Sequence, residues 1–251
     1  MSWSDAAAYD AFMGRYSGPL APLFADVAEV SPGQEALDVG CGTGMLTGEL
    51  VRRLGTGAVT ASDPSEAFVA AIEDRFPGVD VRQAPAEHLP FDAGRFDAAL
   101  AQLVVHFMTD PVAGLSEMRR VTKPDGVVAA CVWDHGGGNG PLSAFWRGTH
   151  TLDPDAPDES HLAGARGGQL TELMTAAGLR EISESTLAVE VEHPTFEEWW
   201  EPFTRGVGPA GAYVQSLNAD ERARLREICR RELGDGPFTV RAAAWAARGL
   251  A

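Results

Sequence analysis

The segment Leu37-Asp38-Val39-Gly40-Cys41-Gly42-Thr43-Gly44 constrains this chain most. It joins a short apolar run, residues 35–39, to a stretch from 45 to 54 whose Leu46, Leu50, Val51 and Leu54 recur at helical spacing. Glycines between a strand and a helix let the backbone turn tightly and approach a ligand with no Cβ in the way. In open α/β sheets such a turn opens onto the crevice at the carboxyl ends of the strands, where ligands bind. The glycine spacing discriminates among ligands. A dinucleotide fingerprint G-x-G-x-x-G needs a glycine at position 45, where this chain has Met45, and no G-K-[ST] follows to make a P-loop. Here the pattern is G-x-G-x-G.

The sequence around this unit alternates strand and helix. Residues 58–63 and 79–82 read as strands, with a helix at 65–76 that turns Phe68, Ala71, Ile72 and Phe76 inward. A further strand spans 96–101. Asp110-Pro111 opens a helix as N-cap and first-turn proline, and that helix carries Val112, Leu115, Met118 and Val121 to a turn at 123–126. Residues 127–133 are apolar without alternation, which suits a strand covered on both faces in the middle of a parallel sheet. Strands joined by helix-length segments give right-handed crossovers and a doubly wound sheet.

Beyond residue 134 the pattern is less regular. A glycine-rich break covers 136–140, a helix 169–177 ends at Gly178, and 179–191 alternates as a long strand. Asn218 and Glu221 form a capping box ahead of a helix that carries Leu225, Ile228 and Cys229 inward, and 238–247 is a last apolar run. The last two strands are expected to pair antiparallel with a helical cap inserted between them. The expected organisation is one unit: an N-terminal helical segment (1–34), a core (35–134), a substrate-side segment with the sixth strand (135–194), the cap (195–236) and the last strand (237–251).

The net charge of −16 argues against partners that present phosphate backbones or anionic membranes, which need a basic surface to displace counterions. The arginines between 222 and 231 alternate with glutamates and read as a solvated helix face. Three scattered cysteines, no apolar run of membrane length and no leader pattern at Met1 lead to the expectation of a cytoplasmic protein. The six histidines show no metal-ligand spacing, so no metal is expected.

Residues 37–44 resemble the first motif of class I S-adenosylmethionine-dependent methyltransferases, and further segments resemble that family in order. These are Asp63-Pro64-Ser65, the loop from Gln83 to Phe91, the strand Phe96 to Gln102, and the helix and turn from Leu115 to Gly126. The opening stretch from Tyr9 to Ser17 resembles the N-terminal helix of the branch that methylates small molecules and quinones (methyltransferase type 11). The likeness covers the chain to about Trp133, and the remainder only in general architecture. It implies an α/β fold with a doubly wound, seven-stranded Rossmann-like sheet, mostly parallel with an antiparallel last pair, plus a helical cap. It also implies S-adenosylmethionine as cofactor, S-adenosylhomocysteine as product and a small-molecule acceptor.

The resemblance also assigns roles. Backbone at Gly40, Gly42 and Gly44 would line the methionine moiety. Asp63 would hold the ribose hydroxyls with Pro64 and Ser65 beside it, and Ala86 and Glu87 would meet the adenine. Gln102 would face the methionyl part, and Tyr9 and Arg15 would close over the cofactor, Arg15 against its carboxylate. Two departures stand out. Asp125-Gly126 replaces a frequent Gly-Gly, and Gln102-Leu103-Val104 is not the Asn-Pro-Pro-Tyr type that marks methylation of amide or base nitrogens.

Methyl transfer from a sulfonium rests mainly on alignment and exclusion of water, so few side chains are obligatory. His106, following the fourth strand, is the candidate base; the competing reading is a locally packed histidine. Asp134 and His135 are secondary candidates, set against an exposed loop. Trp199, Trp200, Phe203 and Tyr213 either line an aromatic pocket or simply pack the cap. Two rival functions stay open: a regulatory protein that binds S-adenosylmethionine without turnover, and a nicotinamide-dependent oxidoreductase, which the missing third glycine and absent Tyr-x-x-x-Lys pair disfavour.

Overall fold

A computed structural model describes residues 10–206 and 208–251, so Tyr9 lies outside the described residues. Strands β1 (Ala36–Val39), β2 (Val59–Asp63), β3 (Asp80–Gln83), β4 (Phe96–Gln102) and β5 (Thr122–Trp133) run parallel. Strands β6 (Arg180–His193) and β7 (Phe238–Leu250) complete a seven-stranded sheet in the order β3-β2-β1-β4-β5-β7-β6, with β7 antiparallel to both its neighbours. The chain starts its sheet at β1, steps outward to β3, and returns past β1 to β4. The strand order therefore reverses beside β1, and the glycine turn sits at that reversal.

Each sheet face takes every second side chain. Ala36, Ala98, Leu100, Ala129 and Cys131 point to one side, where α1 (Arg15–Val27), α2 (Met45–Leu54) and α3 (Glu66–Arg75) supply Leu20, Phe24, Leu50 and Ile72. Leu37, Val39, Ala99, Val128 and Ala130 point to the other, against Leu115 and Met118 of α4 (Pro111–Val121) and Leu170 and Met174 of α6 (Gln169–Ala176). The many alanines in β4, β5 and β7 keep the sheet thin, so large helical side chains fill the layers on either side. Helix α4 starts as expected, with the Asp110 carboxylate accepting from the Ala113 N–H at 3.0 Å.

Two segments depart from the sequence reading. The turn expected at 123–126 is a bulge inside β5: the register runs Phe96 to Thr122 and then Ala98 to Val127, which leaves the intervening residues looped out. Asp125 takes φ +62°, a conformation Asp tolerates, while a Cβ on Gly126 would lie 2.8 Å from the Asp97 carbonyl oxygen. This resolves the Asp-Gly departure: only the second position has no room for a side chain. The other departure is a helix, α5 (Ser143–Leu152), within the stretch that carried little signal.

The cap lies between β6 and β7 as α7 (Phe196–Trp200), α8 (Gly208–Ser216) and α9 (Ala219–Leu233), and α5 packs into it. Its core is aromatic. Phe145 of α5 stacks on Phe203 with ring centroids 4.6 Å apart, and Trp199 and Trp200 close around the same ring at 4.9 and 5.9 Å. Trp199, Trp200 and Phe203 are thus committed to holding the cap together. No helix among the described residues is long and apolar enough to cross a membrane.

Candidate active site

The turn after β1 is held from below. The Gly40 and Cys41 N–H groups both donate to the Ser62 carbonyl of β2, at 2.7 and 3.0 Å. Gly40 has φ +70°, and a Cβ there would come within 2.6 Å of Val104. Gly44 starts α2 at φ +91°, where a Cβ would meet Ile72 and Phe76 at 2.6 Å. Both glycines are therefore required twice, by conformation and by space. Asp63 closes β2 beside them. One of its carboxylate oxygens accepts from the Gly42 N–H at 3.0 Å and the other from the Ser65 N–H at 2.8 Å. Burial raises the Asp63 carboxyl above its usual range, against the pull of those two donors.

Below the turn, Asp38 is buried with the Thr47 hydroxyl donating to it at 2.6 Å. Burial pushes its carboxyl up to about 7; the hydroxyl resists that rise, and the Asp63 charge adds to it. At the end of β4 the Gln102 amide donates to the Ser17 carbonyl at 3.0 Å. Its carbonyl oxygen, like the Ser17 hydroxyl, is buried without a hydrogen-bond partner among the described residues. These groups line a cleft of about 800 Å³, part of it open to solvent.

Leu103 ends the cleft. It is buried at φ +62°, a strained backbone for a bulky side chain, and its N–H is anchored to the Cys131 carbonyl at 2.9 Å. Beyond Leu103 and Phe107, which line both spaces, a second chamber of about 480 Å³ opens under the cap. Phe12, Trp133, Leu142 and Pro209 form its apolar wall, and His106, His135 and Glu159 its polar one.

Residues 37–130 match a family described as a methyltransferase domain. The chain is 32% identical over 188 residues to a ubiquinone/menaquinone biosynthesis C-methyltransferase from Cupriavidus metallidurans, covering 65% of this chain and 74% of that protein. The chain belongs to the class I S-adenosylmethionine-dependent methyltransferases. A solved structure from Anaeromyxobacter dehalogenans, itself assigned provisionally as a type II methyltransferase, matches this enzyme with a TM-score of 0.64 at 24% identity, covering 93% of this chain and 95% of that one. A phosphoethanolamine N-methyltransferase from Haemonchus contortus, solved with phosphomonomethylethanolamine and S-adenosylhomocysteine, matches with a TM-score of 0.59 at 18% identity, covering 98% of this chain and 56% of that one. At such identities both structures speak to the fold alone.

Within this methyltransferase the sequence-derived residues separate into two groups. Gly40, Gly42, Asp63, Pro64, Ser65 and Gln102 come together around the cleft. Gly44 lies behind it, packed against α3. Ala86 is buried in the opposite core layer, and the Glu87 carboxylate accepts from the Thr109 and Asp110 N–H groups, so neither lines the cleft. Arg15 is not brought to the cleft either. Its guanidinium donates to Glu198 and to His193 Nδ1, on the face of α1 that meets the end of β6.

Asp38, Ser17, Phe68 and Leu103 line the cleft without having been singled out. Asp38 belongs to the glycine motif and Phe68 to the inward face of its helix; Leu103 stands in the Gln102-Leu103-Val104 stretch, where nothing in the sequence marks its strained backbone. His135, weighed against an exposed loop, has a side chain only 5% exposed. The glycine-rich stretch after it is a built turn: the Asp134 carboxylate accepts from the Gly137 N–H at 2.8 Å and from the Asn139 amide at 2.7 Å.

Proposed function

We propose that this enzyme transfers the methyl group of S-adenosylmethionine to a small organic acceptor by in-line displacement. The cleft at residues 40–65 would hold the cofactor and the chamber beyond Leu103 the acceptor. The observation that carries this reading is the pair of spaces meeting at Leu103 and Phe107. The cleft at the strand ends, with Asp63, Ser65 and Gln102 in its walls, meets the chamber where Leu103 holds its strained backbone.

The cleft fits the cofactor chemically. A carboxylate has about four acceptor positions, and Asp63 spends one on each oxygen in fixing the turn, which leaves one on each for two ribose hydroxyls. The unpartnered Gln102 carbonyl supplies an acceptor for the ammonium of the methionyl tail, and the Ser17 hydroxyl a donor for its carboxylate. Asp38 lies below the same ammonium, whose positive charge would favour the ionised form of its carboxyl. When bound, the cofactor supplies an electrophilic methyl carbon on a sulfonium. The chain's own contribution is to align the acceptor with that carbon and to keep water out, the part of buried Leu103 and the cap. His106, from the turn after β4, faces the acceptor.

Thermal unfolding with saturating S-adenosylhomocysteine tests the reading. Ligand at about 100 times its dissociation constant adds about 2.7 kcal/mol. That is a rise on the order of 5–10 °C for a chain of this size. Asp63→Ala should abolish most of the rise while leaving the unliganded Tm within a few degrees. An unchanged rise in this variant would overturn the cofactor assignment. A full rise without turnover across an acceptor panel would instead favour a regulatory protein.

A further inference from the structure

The polar wall of the second chamber is more specific than a pocket for an arbitrary acceptor requires. Glu159 is buried, and its carboxylate accepts from the Trp146 indole N–H at 3.0 Å. The same oxygen lies 3.8 Å from His135 Nδ1, whose side chain is equally enclosed. The His106 ring stands 6.0 Å from that of His135, and its Nδ1 is buried with no hydrogen-bond partner among the described residues. Among the described residues no arginine or lysine lines the chamber, and Glu159 is the one carboxylate there. An acceptor bearing a phosphate or carboxylate would meet that carboxylate with nothing to balance it. An apolar, neutral molecule would not.

The two histidines differ in what surrounds them. His106 is enclosed by apolar groups and by the neighbouring imidazole; burial holds its pKa down to about 3, with His135 as the lesser cause, so its ring stays neutral and can both give and take a hydrogen bond. Burial also lowers His135, but Glu159 and, after it, Asp134 and Asp158 act the other way. Arg147, His150 and Arg166 line the outer side of the same loop, His150 facing Asp158 at 3.6 Å. Of the two rings, only His135 has a carboxylate beside it to stabilise an imidazolium.

We propose that the chamber binds a neutral, flat, mostly apolar acceptor carrying a weakly acidic hydroxyl, and that the His135–Glu159 pair takes the hydroxyl proton while His106 hydrogen-bonds the same oxygen. The proposal rests on the methyltransferase reading of the adjoining cleft. The O–H proton passes to His135 Nε2, the ring nitrogen remote from Glu159. The oxygen pair forms the new O–C bond to the methyl carbon as the C–S bond breaks, its electron pair going to sulfur. Glu159 holds the imidazolium until its proton leaves to water. This chemistry differs from that of an acceptor with a phosphate group, for which the chamber supplies no cation.

The test uses the full chain loaded with S-adenosylhomocysteine and four probes of one shape: 2-naphthol, naphthalene, 2-naphthylamine and 2-naphthoate. Binding is followed by calorimetry, and methyl transfer by single turnover with S-adenosylmethionine. The expected result is that 2-naphthol binds at least ten-fold tighter than 2-naphthoate and is the methylated probe. His135→Asn should slow transfer by about 10²–10⁴-fold at neutral pH, as loss of a general base does. It should recover as pH approaches the naphthol's own ionisation, a rescue that mere structural damage would not give. Glu159→Gln should give a smaller loss with the same rescue, and S-adenosylhomocysteine binding should be unchanged in both variants. Preferred binding of the naphthoate, preferred methylation of the amine, or a full rate in His135→Asn would each overturn the proposal. If S-adenosylhomocysteine binds but 2-naphthol neither binds nor reacts, the acceptor assignment falls alone. If S-adenosylhomocysteine itself fails to bind the unaltered protein, the reading of the cleft falls first.

Discussion

The two spaces that meet at Leu103 are built by different means. The cleft is made largely of backbone: glycine turns, N–H groups aimed at Asp63, and strand ends fixed by the parallel sheet. The chamber is made of side chains from five separate places, the N-terminal segment, the turns after β4 and β5, the segment after α5, and the cap. A backbone site leaves a compact trace in sequence, because only glycine fits certain positions. A side-chain site can be assembled from residues far apart, each unremarkable alone. The comparison also predicts how each fails. The cleft should break through conformation and the chamber through charge.

The largest effect is expected at Gly44. A Cβ there would lie 2.6 Å from Ile72 and Phe76 on a backbone at φ +91°. Left-handed strain of about 1–2 kcal/mol and overpacking of about 1–3 kcal/mol combine to about 3 kcal/mol for Gly44→Ala. That is a fall in Tm of roughly 6–12 °C. Protection by S-adenosylhomocysteine should be lost along with it. Retention of full protection would show that the turn is a packing feature rather than part of the site.

Next in size is a pH effect with opposite signs in the two spaces. His106 has its folded pKa pushed from 6.5 to about 3, so the unfolded chain binds the extra proton. Its contribution is present above pH 6.5 and is lost as pH falls toward 3. Between pH 6.5 and about pH 5 this amounts to about 2 kcal/mol. His193, held to about 4 by burial and by Arg15, adds in the same direction. Asp38 acts against both, since its carboxyl is raised from 3.8 to about 7. Denaturant midpoints for His106→Asn should therefore fall less steeply on acidification than those of the unaltered protein. Parallel pH profiles for the two would contradict the burial of this ring.

These contrasts explain what was legible. The seven strands, the capping box at Asn218 and the Asp63 position follow from local pattern, and local pattern is set by backbone geometry. Arg15 is not legible in this way, because the identity of a charged residue on a helix says nothing about which neighbour the helix turns it toward; here it pairs with Glu198 and His193. Glu87 was drawn to two backbone N–H groups for the same reason. His135 and Glu159 could not be paired in advance, because the loop and α5 between them carry no signal of the contact. Trp199 and Trp200 look alike in sequence whether they line a pocket or fill a core, and only the rings around them decide.

Asp38→Asn sharpens the comparison from the cleft side. The folded state binds the extra proton at Asp38, so the stability this group gives at low pH is lost as pH rises from 3.8 through about 7. Removing the ionisable group should raise stability at pH 8 by about 1 kcal/mol, after the charge-assisted bond from Thr47 is weakened. Affinity for S-adenosylhomocysteine should drop in the same variant, since the charge proposed to face the ammonium is gone. Stability and binding would then move in opposite directions, the pattern of a group kept for function. A variant that loses both would place Asp38 among the structural residues.

The smallest effect tests whether the cap is separable from the sheet. Asn218 accepts from the Glu221 N–H at 3.0 Å, and the Glu221 carboxylate accepts in return from the Asn218 N–H at 3.0 Å. Asn218→Ala should cost about 1 kcal/mol or less, because only the first turn of α9 loses its cap. The cap's aromatic core, centred on Phe145 and Phe203, does not touch Asp63 or the glycine turn, whereas Pro209 and Ala210 of α8 border the chamber. Binding of S-adenosylhomocysteine should therefore stay unchanged while acceptor binding weakens. Hydrogen exchange in α9 should rise in the variant with β1 and β2 unaffected. Faster exchange at the ends of β1 and β2 would mean that cap and sheet open as one unit, and the division between a backbone site and a side-chain site would lose its energetic basis.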